Sequence, residues 1–154
     1  MPTHTNNKLS PIAKAVRSSI VCLGLAHGVS HAALLVVTSN ADNGGAGCEF
    51  REAVEAINNG ANFGGCNNIP TSLDFGILDT IIIDPNSLAG NTVTLNGSEI
   101  SINKSVIIQG FDGFTLDGDE RSRVLNIQSA RVRLESLTIT NGSFLGLGDN
   151  GGGN

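Results

Sequence analysis

Four carboxylates and four arginines lie close together in the second half of this 154-residue chain. They are Asp112, Asp117, Asp119, Glu120, Arg121, Arg123, Arg131 and Arg133. Paired carboxylates can act as the acid and the base of a polysaccharide-cleaving enzyme, or hold Ca²⁺ through oxygen ligands. The spacing matches neither an EF-hand loop nor the glycine-rich nonapeptide of calcium-binding β-rolls, and Asp-Gly is common in ordinary turns. We therefore predict solvated turn carboxylates, with no catalytic residue, cofactor or metal site.

The segment 1–32 has the pattern of a cleaved secretory signal peptide. An apolar segment at 18–29 follows three basic residues, Lys8, Lys14 and Arg17. Ser30 and Ala32 are small and fit a cleavage site after Ala32, with Ala33 as the alternative last residue of the signal. The apolar segment is too short to cross a hydrocarbon layer of about 30 Å as a helix, so we expect no transmembrane helix.

Removal of this signal leaves two cysteines and no histidine. All three histidines lie before Ala32, which excludes histidine-based zinc sites and Ser-His-Asp triads from the mature chain. The remaining cysteines are Cys48 and Cys66. The oxidising space outside the cell favours a disulfide between them, which would stabilise the fold by about 3 kcal/mol. Two buried free thiols, or a metal site, are the alternatives.

The composition excludes a nucleic-acid partner and favours an all-β fold. The net charge is −5, only 15% of the residues are charged, and the chain has no tryptophan or tyrosine. A nucleic-acid groove needs an excess of basic side chains and abundant stacking rings, whereas this chain has no basic excess and only 4% aromatic residues. The 20 glycines and the β-branched residues are typical of short strands between tight turns.

One segment has helical periodicity, and short apolar runs predict strands elsewhere. Residues 49–58 carry apolar side chains on one helical face, at Phe50, Ala53, Val54 and Ile57. Arg51 and Glu55 are spaced to form an ion pair along this helix. A strand is predicted at 34–38, and eight more are predicted at 80–83, 92–95, 99–102, 105–109, 114–117, 124–128, 132–135 and 137–140.

These strands could pair as hairpins or wind as a coil. Asn96-Gly97 and Asn141-Gly142 are turn sequences that suit hairpins, as in a β-sandwich. The same spacing, about 25 residues, separates Ile81 from Val106 and Ile107 from Val132, as expected for three strands in each turn of a parallel β-helix. The repeat favours the β-helix. The helix would then cover the open end of the first turn with its apolar face.

The segment 48–54, CEFREAV, followed by AIN at 56–58, resembles the CSLREA family of secreted bacterial β-helix proteins. Further matching phrases are VVTSNAD at 36–42, DTIIIDP at 79–85, RVLNI at 123–127 and LTITNG at 137–142. The resemblance covers roughly residues 33–153. It departs at Glu49 and Phe50, where the family usually has Ser or Thr and then Leu.

The resemblance implies a right-handed parallel β-helix of about two to three rungs with one short N-terminal capping α-helix. The residues that would form this cap are Phe50, Arg51, Glu52, Ala53, Val54 and Ile57. The implied organisation is a signal at 1–32, a cap at 33–78, β-helix rungs at 79–142 and a Gly-rich tail at 143–154. Because family members continue for many more rungs, we expect a truncated chain or a fragment.

The resemblance also implies a role at the cell surface. Family members are similar to polymorphic outer-membrane proteins and to the passenger regions of autotransporter adhesins. We therefore expect a structural or adhesive segment without catalysis, secreted or held at the outer membrane of a Gram-negative-like bacterium. Its expected partners are a carbohydrate or host-surface ligand, and a second copy bound through the open last rung. The alternative is the N-terminal part of a pectin-lyase-like polysaccharide lyase or hydrolase.

Overall fold

The computed structural model describes residues 32–70, 72 and 74–143. Within these residues the chain forms one helix and nine strands. In chain order they are β1 (Leu34–Val37), α1 (Phe50–Asn59), β2 (Asp79–Ile83), β3 (Thr92–Thr94), β4 (Ile100–Ile102), β5 (Val106–Gln109), β6 (Thr115–Asp117), β7 (Leu125–Ile127), β8 (Val132–Glu135) and β9 (Thr138–Thr140). The bounds of each lie within one position of a segment predicted from the sequence. The predicted signal, apart from Ala32, and the predicted tail beyond Ser143 lie outside the described residues.

The nine strands form three parallel sheets. Their orders are β1-β2-β5-β8, β3-β6-β9 and β4-β7, so from β2 onward each strand pairs with the strand three positions later. Every pairing between these strands is parallel. The alternative of a hairpin at Asn96-Gly97 is excluded, because the strands on either side of it, β3 and β4, belong to different sheets.

The interval between paired residues is close to the expected 25 positions, but it varies from one pair of strands to the next. Ile81 lies opposite Ile108, two positions beyond the expected Val106. Val132 in turn lies opposite Val106 and not opposite Ile107. The strands stay aligned because the turns between them absorb the differences in length. Since Val106 and Ile108 both face inward, the apolar pattern alone cannot detect a register error of two positions.

The core lies between the sheets and is covered on one side by α1. Alternate strand residues point inward and are buried, such as Leu35, Ile81, Ile108 and Leu116. The apolar face of α1 is also fully buried and joins the same cluster, through Phe50, Ala53, Val54, Ala56 and Ile57. The helix packs against β1, β2 and β4. It therefore covers the core beside the first strands of two sheets, β1-β2-β5-β8 and β4-β7.

Candidate functional site

A buried ion pair fixes the helix to its surroundings. The Arg51 guanidinium donates to both carboxylate oxygens of Asp42, with Nε–Oδ1 and Nη2–Oδ2 distances of 2.7 and 2.8 Å. The Asp42 side chain is 1% exposed. Arg51 also donates to the carbonyls of Ser98 (2.8 Å) and Glu99 (3.0 Å), just before β4. The predicted pairing of Arg51 with Glu55 is therefore wrong, because the guanidinium is turned toward Asp42.

Asp42 connects the loop after β1 to the turn between β3 and β4. Its Oδ2 accepts a 2.8 Å hydrogen bond from the Asn96 N–H, in addition to the bond from Arg51. A bidentate arginine–carboxylate pair is among the stronger polar contacts in proteins, and removing one member of a buried pair leaves an uncompensated charge. The Arg51 side chain thus joins α1 to the loop that precedes it and to the turn between β3 and β4.

Glu49 supports the same loop with a buried carboxylate. Its Oε2 accepts the N–H groups of Asn43 (2.9 Å) and Gly44 (3.0 Å), and its Oε1 accepts that of Gly45 (2.7 Å). The Glu49 N–H in turn donates to Glu52 Oε2 at 3.3 Å, which satisfies a backbone donor at the start of α1. A glutamate at this position is long enough to reach three loop amides.

The two cysteines that were expected to pair lie together at the start of the helix. Cys48 and Cys66 form a disulfide with their Cα atoms 4.4 Å apart, and both are buried. The Glu52 carboxylate accepts the N–H of Gly65 at 3.0 Å, beside this bond. A Cβ atom at Gly65 would overlap the backbone carbonyl of Gly47, so the two loops touch closely here. The bond links the helix start to the loop that follows the helix.

The carboxylates and arginines of the second half are distributed over several turns and strands. Asp117 Oδ1 accepts hydrogen bonds from the Asp119 N–H and from Asn141 Nδ2, both at 2.9 Å. Three of the arginines form ion pairs, which are Arg121 with Asp119 (3.0 Å), Arg123 with Glu99 (2.6 Å) and Arg133 with Glu135 (2.6 Å). Among the described residues, no group of three or more acidic, cysteine or histidine side chains is arranged to hold a metal ion.

Two surface carboxylates have shifted acidity. The hydrogen bond from Arg123 is the main reason that the pKa of Glu99 lies below its ordinary value, and a bond from Asn126 Nδ2 at 2.7 Å adds to it. The pKa of Asp84 is also lowered, mainly by the hydrogen bond from the Ser87 hydroxyl and to a smaller extent by that from the Asn86 N–H. Both groups are held in the ionised form by local donors.

A polar surface depression lies where the cap meets the sheets. It has a volume of about 440 Å³ and is lined by Asp42, Asn43, Thr94, Leu95, Asn96, Asp119 and Arg121. These residues come from the loop after β1, the end of β3 and the turn after β6. Because three distant segments contribute, no local sequence signal indicates this depression. Its amide, carboxylate and guanidinium groups could bind a polyhydroxylated ligand.

The outer face of β3-β6-β9 continues this polar surface. Two rows of side chains lie in register across the three strands: Thr92, Thr115 and Thr138 in one row, and Thr94, Asp117 and Thr140 in the other. Neighbouring strands in a sheet are about 4.8 Å apart, so the hydroxyl groups of the first row repeat at that distance. Thr94 belongs both to this face and to the lining of the depression.

No helix in the part of the chain that the structure describes has the length and apolar character needed to cross a membrane. Comparison of the chain with protein-family models, curated proteins and solved structures finds no match.

Proposed function

We propose that this chain is a secreted or cell-surface segment with a structural or adhesive role and no catalysis of its own. The observation that carries the proposal is how the motif at 48–54 uses its polar side chains. Glu49, Arg51 and Glu52 bond to loop amides, to Asp42 and to backbone carbonyls. Side chains used in this way hold an architecture together and leave the sheet faces available for contact.

The proposed architecture is a right-handed parallel β-helix with α1 as its N-terminal cap, as in the CSLREA family. The pairing of each strand with the strand three positions later supports it, as does the packing of α1 on β1, β2 and β4. In a coil with three strands per turn, strands of successive turns must pair in all three sheets of the same molecule.

Engineered cysteine pairs test this arrangement, since adjacent strands bring Cα atoms within disulfide range. One pair per sheet is introduced: Ile107→Cys with Arg133→Cys, Thr115→Cys with Thr138→Cys, and Ser101→Cys with Asn126→Cys. Each pair should form a disulfide, detected by mass spectrometry of peptide digests. The control pair, Thr92→Cys with Thr138→Cys, is two strands apart and should not. Failure of any one sheet to cross-link contradicts the coil.

The proposed location is the cell exterior or the outer membrane, reached through a cleaved signal. The basic residues, the apolar segment at 18–29 and the small residues before Ala33 support this. The intact mass of the exported chain should correspond to a protein that begins after Ala32. A mass that retains the segment 1–32 contradicts the proposal.

The proposed ligand is a carbohydrate that contacts the polar depression. Asn96 and Arg121 offer amide and guanidinium groups at its lining. Binding to a panel of surface polysaccharides, measured by calorimetry, should weaken with Arg121→Ala. Arg131→Ala, which changes an exposed arginine outside this depression, is the matched control. Equal binding by the two variants contradicts this choice of site.

The rival function is polysaccharide cleavage by an enzyme of the pectin-lyase type. The ion pairs of Arg121, Arg123 and Arg133 with neighbouring carboxylates favour the structural role. The assay is release of unsaturated or reducing ends from pectate and other acidic polysaccharides. Cleavage that is lost in the double variant Asp117→Ala/Asp119→Ala would establish the rival and contradict the non-catalytic role.

A further inference from the structure

Asp79 is a buried carboxylate with one unsatisfied oxygen. It begins β2 and is 1% exposed. Its Oδ1 accepts the N–H groups of Ala33 (2.7 Å) and Gly76 (2.9 Å), whereas Oδ2 is buried without a hydrogen-bond partner among the described residues. A buried carboxylate that is neither paired with a cation nor fully hydrogen-bonded is unfavourable. The site is therefore incomplete in the uncleaved chain.

The nitrogen at this site belongs to the residue that signal cleavage would expose. Hydrolysis of the Ala32–Ala33 bond by a signal peptidase consumes one water, leaving a carboxylate on Ala32 and an ammonium group on Ala33. The same nitrogen then carries three protons instead of one, so it can keep the bond to Oδ1 and donate to Oδ2 as well. Its charge would also compensate that of Asp79.

The surrounding structure holds Ala33 in place for this pairing. Ala33 is 1% exposed, and its carbonyl accepts the N–H of Thr80 at 2.9 Å, the residue after Asp79. The next residue, Leu34, donates its N–H to Asn68 Oδ1 at 3.0 Å and pairs with Thr80 in the β1–β2 register. The nitrogen of Ala33 thus faces the carboxylate through contacts that do not involve the residues removed.

We propose that Asp79 is the acceptor site for the mature N-terminus, and that removal of the signal stabilises the fold through a buried ammonium–carboxylate pair. This inference rests on the proposed secretion. Cleavage after Ala33 would remove the pairing nitrogen and overturn the inference while leaving secretion intact. Absence of any cleavage would overturn both.

The first test compares the exported chain with the uncleaved full-length chain. Asp79→Asn should lower the Tm of the exported chain at least about twice as much as that of the uncleaved chain, because only the former loses an ion pair. Asp74→Asn changes an exposed carboxylate nearby in sequence and should affect neither form. Equal losses in both forms with Asp79→Asn overturn the proposal.

The second test does not depend on stability. Without its signal the chain has two amines, the α-amine of Ala33 and the exposed side chain of Lys104. With an amine-acylating reagent, followed by mass spectrometry, the α-amine should react at least about tenfold more slowly than in Asp79→Asn. Lys104 serves as the internal reference and should react equally in both. An α-amine that reacts equally fast in both proteins overturns the proposal.

A separate observation concerns the opposite end of the sheets. Ile127 on β7, Leu134 on β8 and Ile139 on β9 are 49, 38 and 44% exposed. The residues opposite them on the preceding strands, Ile102, Ile108 and Leu116, are all fully buried. The interior apolar rows therefore continue to the last strands, where nothing among the described residues covers them.

The edges of these strands and the charges on β8 indicate what could bind there. Each of β7, β8 and β9 pairs on one side only within the described sheets, which leaves backbone groups open to another strand. Arg133 and Glu135 lie on the outer face of β8, one on each side of Leu134.

We infer that this end binds a second copy of the chain. If β8 pairs antiparallel with β8 of the second copy about a two-fold axis at Leu134, each Arg133 lies opposite a Glu135. Opposite charges at such cross-strand positions attract and like charges repel. The inference goes beyond the proposed function, since it requires neither a ligand nor a particular location.

Sedimentation velocity over a wide concentration range should detect a dimer of the purified chain. Leu134→Lys should abolish the dimer, whereas Ile77→Lys, at an apolar residue that is 73% exposed before β2, should not. A monomer at all concentrations, or a dimer that survives Leu134→Lys, overturns the inference. A monomer that associates only after deletion of 144–154 would assign the cover to the tail and also overturns it.

Charge reversal tests the register without changing the apolar face. Arg133→Glu and Glu135→Arg should each weaken self-association by about tenfold or more, because like charges then face each other twice. An equimolar mixture of the two variants should restore the complex, since an acidic strand then faces a basic one. The internal Arg133–Glu135 pair cannot explain restoration by mixing. Absence of that restoration overturns the proposed register.

Discussion

Replacing Arg51 with alanine is expected to destabilise the fold by about 3 kcal/mol. The change leaves the Asp42 carboxylate, which is 1% exposed, without its guanidinium partner. It also removes the bonds to the carbonyls of Ser98 and Glu99. Loss of one member of a buried ion pair costs about 3–5 kcal/mol, and we take the lower value because the Arg51 side chain is 26% exposed.

Thermal and urea unfolding, followed by circular dichroism with the disulfide intact, measure this loss. For a domain of this size, about 3 kcal/mol corresponds to a decrease in Tm of about 12 °C or more. The double variant Asp42→Ala/Arg51→Ala should be more stable than Arg51→Ala alone, because the unpaired buried charge is then absent.

The matched control is Arg123→Ala, which breaks the ion pair between Arg123 Nε and Glu99 Oε2. Both side chains of that pair are partly exposed, at 44 and 28%, so its loss should lower the free energy of unfolding much less than loss of Arg51 does. If Arg51→Ala and Arg123→Ala lower the free energy of unfolding equally, burial of Asp42 does not have the energetic role assigned to it here.

Three further outcomes are expected. Reduction of the Cys48–Cys66 disulfide, or its replacement by Cys48→Ser/Cys66→Ser, should cost about 3 kcal/mol for a sequence separation of 18, and an unchanged urea midpoint would contradict this. The folded-state pKa of Glu99 lies below its ordinary value of 4.5, so its contribution to stability is present above that value and is lost as the pH falls through the folded-state pKa. The Tm of Glu99→Gln should therefore fall less steeply under acid conditions than that of the parent chain, and equal slopes would refute the assignment. Gly65→Ala should lower the Tm, because its Cβ atom would overlap a backbone carbonyl, whereas Gly90→Ala meets only an ordinary contact and should be neutral.

The secondary structure was predictable from the sequence because its signals are local. Each strand is a short apolar run between turn-forming residues, and α1 has a continuous apolar face that ends at Gly60. Gly60 adopts a left-handed conformation with φ of 66° and ends the helix. The type and the bounds of these elements therefore follow from residues that are close together in the sequence.

The contacts that fix α1 were not predictable from its helical periodicity, because their partners lie outside the helix. The helical spacing of Arg51 and Glu55 suggested an ion pair, but Arg51 bonds to Asp42 in the preceding loop. Asp42 is also bonded to Asn96, 54 positions later. The register of β2 with β5 was missed for a different reason, since a shift of two positions leaves the inward face unchanged.

The bonds from Arg51 and Asp42 also determine the order in which the cap can assemble. Chains are synthesised from the N-terminus, so Cys66 emerges before β2 and the disulfide can close before any of the sheets forms. The remaining contacts of Arg51 and Asp42 form only later, because they require backbone groups that are synthesised after β3. These groups belong to Asn96, Ser98 and Glu99. The helix α1 is therefore among the first segments to be synthesised, but its polar contacts are complete only after the turn before β4 has been made.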